Sequence, residues 1–344
     1  MARVEVFLDQ MPGETRGIIA KDGHYHHLII HRDSDRACDR LGAVLIGRVV
    51  RVEPALRGAF VDMGQGEPYG FLPLSQKDQL TEGAKIEVEV VAEPREAKGP
   101  ALKLIGPSSG EVRLVRAGPS VSDILAKLAP KVPVQEGLLA IRASLEAEED
   151  ASADIFTEAS TGLDLAVERT RALISIDIDH RPAPGRDGRK AREAVNWAGL
   201  NHAARLLRLK SWGGLVVVDL VGTNLHGETL AKAAKTAFAH NPGAVIGPLS
   251  RFGLLQLSLG WGQRPIDERL GRKAGQGSVE ARGLGLVRAM RLQLLTDSHM
   301  ARLVIHAPAD EAQWAAPYIE ALGPRAAIVV DHGLASGQSY IKEA

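Results

Sequence analysis

The sequence of 344 residues has a single cysteine, Cys38. That excludes an internal disulfide and a metal knot built from cysteine pairs. It has no excess of either charge, with 42 basic and 42 acidic residues. A zero balance neither supports nor excludes nucleic acid, because binding needs only a local basic face. No apolar run approaches the ~18 residues of a membrane span, so no membrane partner is expected. The sequence opens without a charged leader followed by an apolar core, and the expectation is a cytoplasmic protein. Histidines are frequent (24, 26, 27, 180, 202, 226, 240), yet none sits at a zinc-binding spacing such as HExxH. Met, Tyr, Phe and Trp are scarce, whereas Ala, Gly, Leu and Arg are common.

At 45% hydrophobic and 24% charged the chain is globular in composition, with room for two or three domains. Residues 3–32 alternate and turn as short strands. From 42 to 105, "GAVLIGRVVRVEPALRGAFVDMG", "YGFLPL" and "GAKIEVEVVAEP" are short strands broken by Gly and Pro, which suggests a small barrel. A short helix is expected over 122–129 with Ser122 or Asp123 near its N-cap. From 162 to 260 the pattern is α/β. A strand lies at 173–178, and a helix at 190–210 with Ala194, Trp197, Leu200, Ala204 and Leu207 at helical spacing. A second strand, "LVVVDLVG", follows, then a helix near 227–239 and a strand in "LSRFGLLQLS". Residues 268–283 read as a linker. The tail from 284 reads as a small α/β unit with the strands "ARLVIHAP" and "AAIVVDHG".

The stretch "LISIDIDH" reads as a buried strand, yet it carries Asp177 and Asp179. Alternation points both carboxylates to one side, which is costly in a buried setting unless a cation sits there. The next strand also ends on an acid, Asp219, so two strands bring carboxylates to one sheet edge. Such groups suit Mg²⁺, which takes hard oxygens, keeps several waters and needs only one or two carboxylates. The plainer alternative is that each Asp caps the loop behind it. Residues 181–210 hold eight Arg or Lys against two acids, net +6, a composition suited to a phosphate backbone. Phe60, Tyr69 and Phe71 lie in a compact stretch with Arg48, Arg51 and Arg57, as in proteins that stack single-stranded bases; core filling is the alternative. Arg251 stands amid apolar residues, where a partly buried guanidinium needs an anion. His180, next to Asp179, is the histidine closest to these acids in sequence.

These residues resemble the ribonuclease E/G family. "GRVVRVEPALRGAFVDMG" with "YGFLPL" is similar to its OB-fold RNA-binding domain, and "EPREAKGPAL" to that domain's basic closing turn. "ALISIDID", "ARLLRLKSWGGLVVVDLV" and "LSRFGLLQLS" resemble its catalytic segment, in order and nearly in spacing. The resemblance is best over 42–105 and 160–260. It implies an α+β multidomain fold: a small OB-fold β-barrel plus an α/β DNase I-like catalytic domain on a partial ribonuclease H-like scaffold. The implied division is N-terminal scaffold strands at 1–41, the barrel at 42–105, a shortened connection at 106–160, the catalytic domain at 161–267, a linker at 268–283 and a C-terminal unit at 284–344.

The activity implied is Mg²⁺-dependent endonucleolytic cleavage of single-stranded RNA. Asp177 and Asp219 fall on the metal ligands, Phe60 and Phe71 on the RNA-stacking aromatics, and Lys98 on a basic position of the closing turn. Arg251 joins the RNA-binding set, and Asp179 the catalytic one. Asp179 departs from the family, which has a ligand-orienting Asn there, and Gly222 stands where the family has a further acid. The connection is too short for the family's 5′-end sensor. No cysteine occurs near "GRKAGQGSVE", where the zinc link should fall, so a zinc-linked dimer is not expected. Two rival readings are an RNA-binding protein without turnover and a Mg²⁺ enzyme acting on another phosphodiester, such as DNA.

Overall fold

The computed structural model describes residues 3–76, 78–181, 188–222, 226–271, 277–297, 299 and 302–343, with only the backbone of Arg189. The chain is mixed α+β and divides into two compact units, Met1–Glu148 with Arg264–Ala344, and Glu149–Gln263. Among the described residues no helix is long and apolar enough to cross a membrane.

The first unit opens with an antiparallel meander of β1 (Val4–Met11), β2 (Glu14–Lys21) and β3 (His24–Arg32). A barrel follows, made from β4 (Val44–Glu53), β5 (Gly58–Asp62), β6 (Gly70–Pro73), β7 (Lys85–Ala92) and β8 (Ala101–Pro107). Its strand order is β5-β6-β8-β7-β4, and β4 pairs again with β5, so the sheet closes. Closure removes free sheet edges and packs Leu45, Val49, Val61, Leu72, Val88 and Leu102 inside. The five-stranded barrel expected at 42–105 is therefore present, with β9 (Arg113–Arg116) added beside β4.

Helix α1 (Val121–Leu128) lays Val121 and Leu125 on Val6, Ile19 and Ile29 of the meander. Its N-cap is Ser120, two residues before Ser122, in a capping box: Ser120 Oγ accepts from Asp123 N–H at 3.1 Å, and the Asp123 carboxylate accepts from Ser120 N–H at 3.0 Å. Two-residue β10 (Val134–Gln135) runs parallel to β1. Helix α2 (Leu138–Ser152) occupies the stretch read as a shortened connection.

In the second unit the sheet order is β11-β12-β13-β14-β16-β15, with β11 (Ile155–Glu158), β12 (Leu163–Arg169), β13 (Ile174–His180), β14 (Gly214–Asp219), β15 (Val245–Ile246) and β16 (Leu255–Leu259). Helices α3 (Arg189–Leu209) and α4 (Gly227–Ala237) share one core with it. Every second strand residue enters that core: Leu163, Leu165 and Val167; Ile174, Ile176 and Ile178; Val216 and Val218. Of the five positions expected on the apolar face of α3, Leu200, Ala204 and Leu207 are buried, together with Val195, Gly199, Ala203 and Leu206, whereas Ala194 and Trp197 are exposed. At Gly199 a Cβ would stand 2.7 Å from Ile178, so the glycine lets the helix pack closely on β13.

The remaining part of the first unit contains α5 (Ile266–Leu270), α6 (Val279–Thr296), β17 (Leu303–Ala307), α7 (Ala309–Glu320), β18 (Ala326–Val330) and β19 (Tyr340–Glu343). The stretch 268–283, expected to be a linker, is helical at both ends, and residues 272–276 lie outside the described residues. Its ends are held by charge. Glu14, fully buried, accepts from Arg16 (2.6 Å), Arg32 (2.8 Å) and Arg288 (2.7 Å). Arg32 also reaches Glu280 at 3.0 Å and the Arg269 carbonyl at 2.7 Å. Arg269 in turn pairs with Asp35 at 2.7 Å and with Glu93 of the barrel at 3.2 Å.

Candidate active site and nucleic-acid interface

In the second unit β13 and β14 are parallel neighbours with Asp177 and Asp219 as register partners. Adjacent strands lie ~4.8 Å apart, so both carboxylates rise from one edge on the same face. Helix α3 connects the two strands and α4 follows the second. Both helices therefore begin at the carboxyl ends of the strands, the usual place for a ligand in a parallel arrangement. Across β12 the register sets Asp164 opposite Asp179 and Ala166 opposite Asp177. Asp164 is bound by Arg181 at 2.7 Å.

The "LISIDIDH" strand is not buried on both sides. Ile174, Ile176 and Ile178 enter the core, whereas Asp177 and Asp179 are exposed, because helices cover only one face of the sheet. Water thus meets much of the cost that burial would have imposed. What remains is mutual repulsion. Partial burial, then Asp219, Asp179 and Asp164 in that order, push the Asp177 carboxyl above its ordinary value. The Asp219 carboxylate accepts from Leu220 N–H at 2.9 Å, and that of Asp179 from His180 N–H at 2.7 Å. Both acids therefore also cap the loops they begin, the plainer role considered from sequence. Among the described residues no three His, Cys, Asp or Glu side chains form a ready-made metal cage. Two adjacent carboxylates whose repulsion a cation would relieve fit Mg²⁺, which retains most of its waters.

Asn196 is the residue sequence reading missed. It lies buried on α3, and its side chain grips Val221 twice: Nδ2 donates to the carbonyl at 3.0 Å and Oδ1 accepts from the N–H at 2.9 Å. That clamp fixes the strand exit two residues after Asp219. The available signal was an Asn one residue from Trp197, on a helix face that the assumed apolar stripe made look outward. Asn196→Ala leaves both Val221 groups unpaired, at roughly 1–3 kcal/mol. The loss is read as a lowered melting temperature by calorimetry.

The basic segment 181–210 does not form one outward track. Arg205 is buried and bonded to Asp150 at 2.5 Å. Lys210 is buried and donates to the Ala151 and Ala153 carbonyls at 2.9 and 2.6 Å. Arg208 donates to Asn241 at 2.6 Å. The last turn of α3 places these cations inward, where they satisfy the end of α2 and the loop after α4. Arg186 lies outside the described residues. Arg251 is exposed in the turn before β16 rather than embedded among apolar groups, so no buried anion is needed there.

In the first unit Phe60 and Phe71 are register partners on β5 and β6, with ring centroids 5.6 Å apart at 64°. Gly58 makes room for them, since a Cβ there would lie 2.4 Å from the Phe71 ring. The Arg51 guanidinium lies over Phe60, 4.7 Å from its centroid. Together with Tyr69, Arg95 and Lys98 these residues line a cavity of about 790 Å³. Lys98 is held on a hairpin closed by Arg95–Lys98 hydrogen bonds of 3.3 and 2.8 Å. The structure thus brings Phe60, Phe71 and Lys98 to one cavity, and Asp177, Asp179 and Asp219 to one sheet edge.

A carboxylate pair at the ends of parallel strands defines a candidate site for phosphodiester chemistry. Residues 121–259 match the ribonuclease E/G family. Over 122 residues the chain is 30% identical to Ribonuclease G of Haemophilus influenzae, covering 30% of this chain and 24% of that protein. Over 132 residues it is 28% identical to Ribonuclease E of Escherichia coli, covering 37% of this chain and 12% of that protein, and 27% identical to Ribonuclease E of Buchnera aphidicola. The resemblance read from the residues of the catalytic segment is shown over 121–259, where the chain is similar to the family and to these relatives. The aligned part spans a quarter or less of each of these relatives.

Proposed function

We propose that the chain is a Mg²⁺-dependent endoribonuclease that cleaves single-stranded RNA in the cytoplasm. The observation that carries this reading is the in-register pair Asp177–Asp219 within the segment that matches the family. Asp177 and Asp219 hold the metal, and Asp179, in place of the relatives' Asn, adds charge beside Asp177. A bound Mg²⁺ would supply Lewis acidity and a water acidified for attack on phosphorus. Asn196 keeps the strand exit after Asp219 in place, and Arg251, at the same sheet edge, is free to meet phosphate.

The barrel is the OB-fold half of this reading, and the second unit its DNase I-like half, with the meander as the partial ribonuclease H-like scaffold. Phe60 and Phe71 stack bases, while Lys98, Arg95 and Arg51 meet the backbone. Phe60→Leu or Phe71→Leu weakens binding of single-stranded RNA about tenfold, measured by fluorescence anisotropy.

The decisive experiment is cleavage of an AU-rich single-stranded RNA with Mg²⁺, comparing wild type with Asp219→Asn. Equal cleavage by both sinks the metal assignment. Binding by both with cleavage by neither leaves an RNA-binding protein without turnover, and preference for a DNA strand of the same sequence moves the substrate class.

A further inference from the structure

From the turn that precedes β16 we infer that Phe252 is a base-stacking residue of the proposed site, taking a nucleobase of a single strand whose phosphate lies at the Asp177–Asp219 edge. The inference rests on the function proposed above and adds a specificity residue to it.

Phe252 is 90% exposed. Single apolar residues on a surface need no explanation in general. This one differs in how it is held and where. The turn is braced three times: Ser250 N–H donates to the Leu254 carbonyl at 2.9 Å, Gly253 N–H to the Ser250 carbonyl at 3.1 Å, and Leu254 N–H to Ser250 Oγ at 3.1 Å. The ring is thus carried by an ordered turn.

Its place follows from register. Strand β16 is antiparallel to β14, with Leu255 opposite Val218. The residue before Leu255 is therefore level with Asp219, and the turn stands at the same end of the sheet as the carboxylates. At ~3.3 Å per residue, Phe252 begins within about 10 Å of that level. Arg251, also exposed, precedes it, so the turn offers an aromatic face and a guanidinium side by side. That pairing suits a single strand, whose bases are free to stack while its phosphates meet cations. In a duplex the bases already stack on each other, and Phe252 would find no partner. The turn thereby supplies a physical reason for strand-form specificity at the cleavage site, separate from the barrel.

The test compares wild type, Phe252→Leu and Phe252→Tyr on AU-rich single-stranded RNAs with 2-aminopurine placed at successive positions around the cut. Phe252→Leu is expected to keep the melting temperature, because the ring is exposed, and to lose roughly 5- to 150-fold in kcat/KM. Phe252→Tyr restores it. One 2-aminopurine position is quenched on binding to wild type and to Phe252→Tyr, and stays bright with Phe252→Leu. If wild type cleaves and Phe252→Leu matches it in rate and quenching, the inference is overturned and the function stands. If wild type neither binds nor cleaves these RNAs, the function fails and the inference falls with it.

Discussion

Glu14→Gln lowers the stability of the protein by about 3–5 kcal/mol, the cost of removing the buried carboxylate that three buried guanidiniums share. Glu14 accepts from Arg16, Arg32 and Arg288, all of them buried. Glu148 at Arg16, Glu280 at Arg32 and Asp9 at Arg288 each meet one guanidinium of the three, so none of them takes the shared place of Glu14. For a body of this size the melting temperature drops by roughly 10 °C, readable by calorimetry. Glu5→Gln is the control: its partner Arg3 is largely exposed, so the change stays within ~1 kcal/mol.

The pH dependence of this effect has a definite sign. Burial alone would raise the Glu14 carboxyl, but the guanidiniums of Arg16, Arg288 and Arg32 outweigh it and hold Glu14 far below the usual carboxylate range. A group whose folded value is depressed contributes fully above its unfolded value, ~4.3 for Glu, and loses that contribution as pH falls beneath it. The gap between wild type and Glu14→Gln is therefore constant near neutrality and narrows below about pH 4.

Asp219→Asn is the substitution with the largest expected effect on activity, a fall in kcat on the order of 10²–10³. An Asn side chain keeps the shape and can still accept from Leu220 N–H, so the loop after β14 remains capped. What disappears is one negative charge beside Asp177. The folded protein without metal is expected to be no less stable than wild type, because Asp219 is one of the charges that push the Asp177 carboxyl up. Added Mg²⁺ then separates the two: it raises the melting temperature of wild type and leaves that of Asp219→Asn unchanged. A fall in stability without metal, or an equal Mg²⁺ shift in both proteins, contradicts the assignment. Asp179→Asn, which removes one of the charges that push the Asp177 carboxyl up, is expected to retain the cleavage proposed above, measured on the same RNA.

Much of the architecture was legible because it is local. Gly- and Pro-punctuated strands over 42–105 announced a barrel, and five strands close there. The helix expected at 190–210 and the strand expected at 173–178 stand within a residue or two of their expected limits, while the strand in "LVVVDLVG" ends three residues early, at Asp219. Facing was harder to read. The expected stripe was set by apolar residue type: Leu200, Ala204 and Leu207 are buried, but Ala194 and Trp197 at its start are exposed and Val195 and Asn196 are buried in their place. The same difficulty hid Asn196, a polar residue buried because a neighbouring backbone needs its amide.

The sequence by itself determined the alternation of β13, and with it the fact that Asp177 and Asp179 share a side, since a strand's period is two. It also determined that acids stand near the carboxyl ends of β13 and β14, Asp179 next to last in one and Asp219 last in the other. Only the tertiary structure decided that this side faces water, because the helices pack on the other face. Only it set Asp177 opposite Asp219, through strand register. It likewise turned Arg205, Arg208 and Lys210 inward, each to a partner distant in the chain, and left Phe252 outward on its turn. A charge count cannot distinguish a cation that meets solvent from one that satisfies a buried carbonyl, because that depends on contacts far apart in sequence.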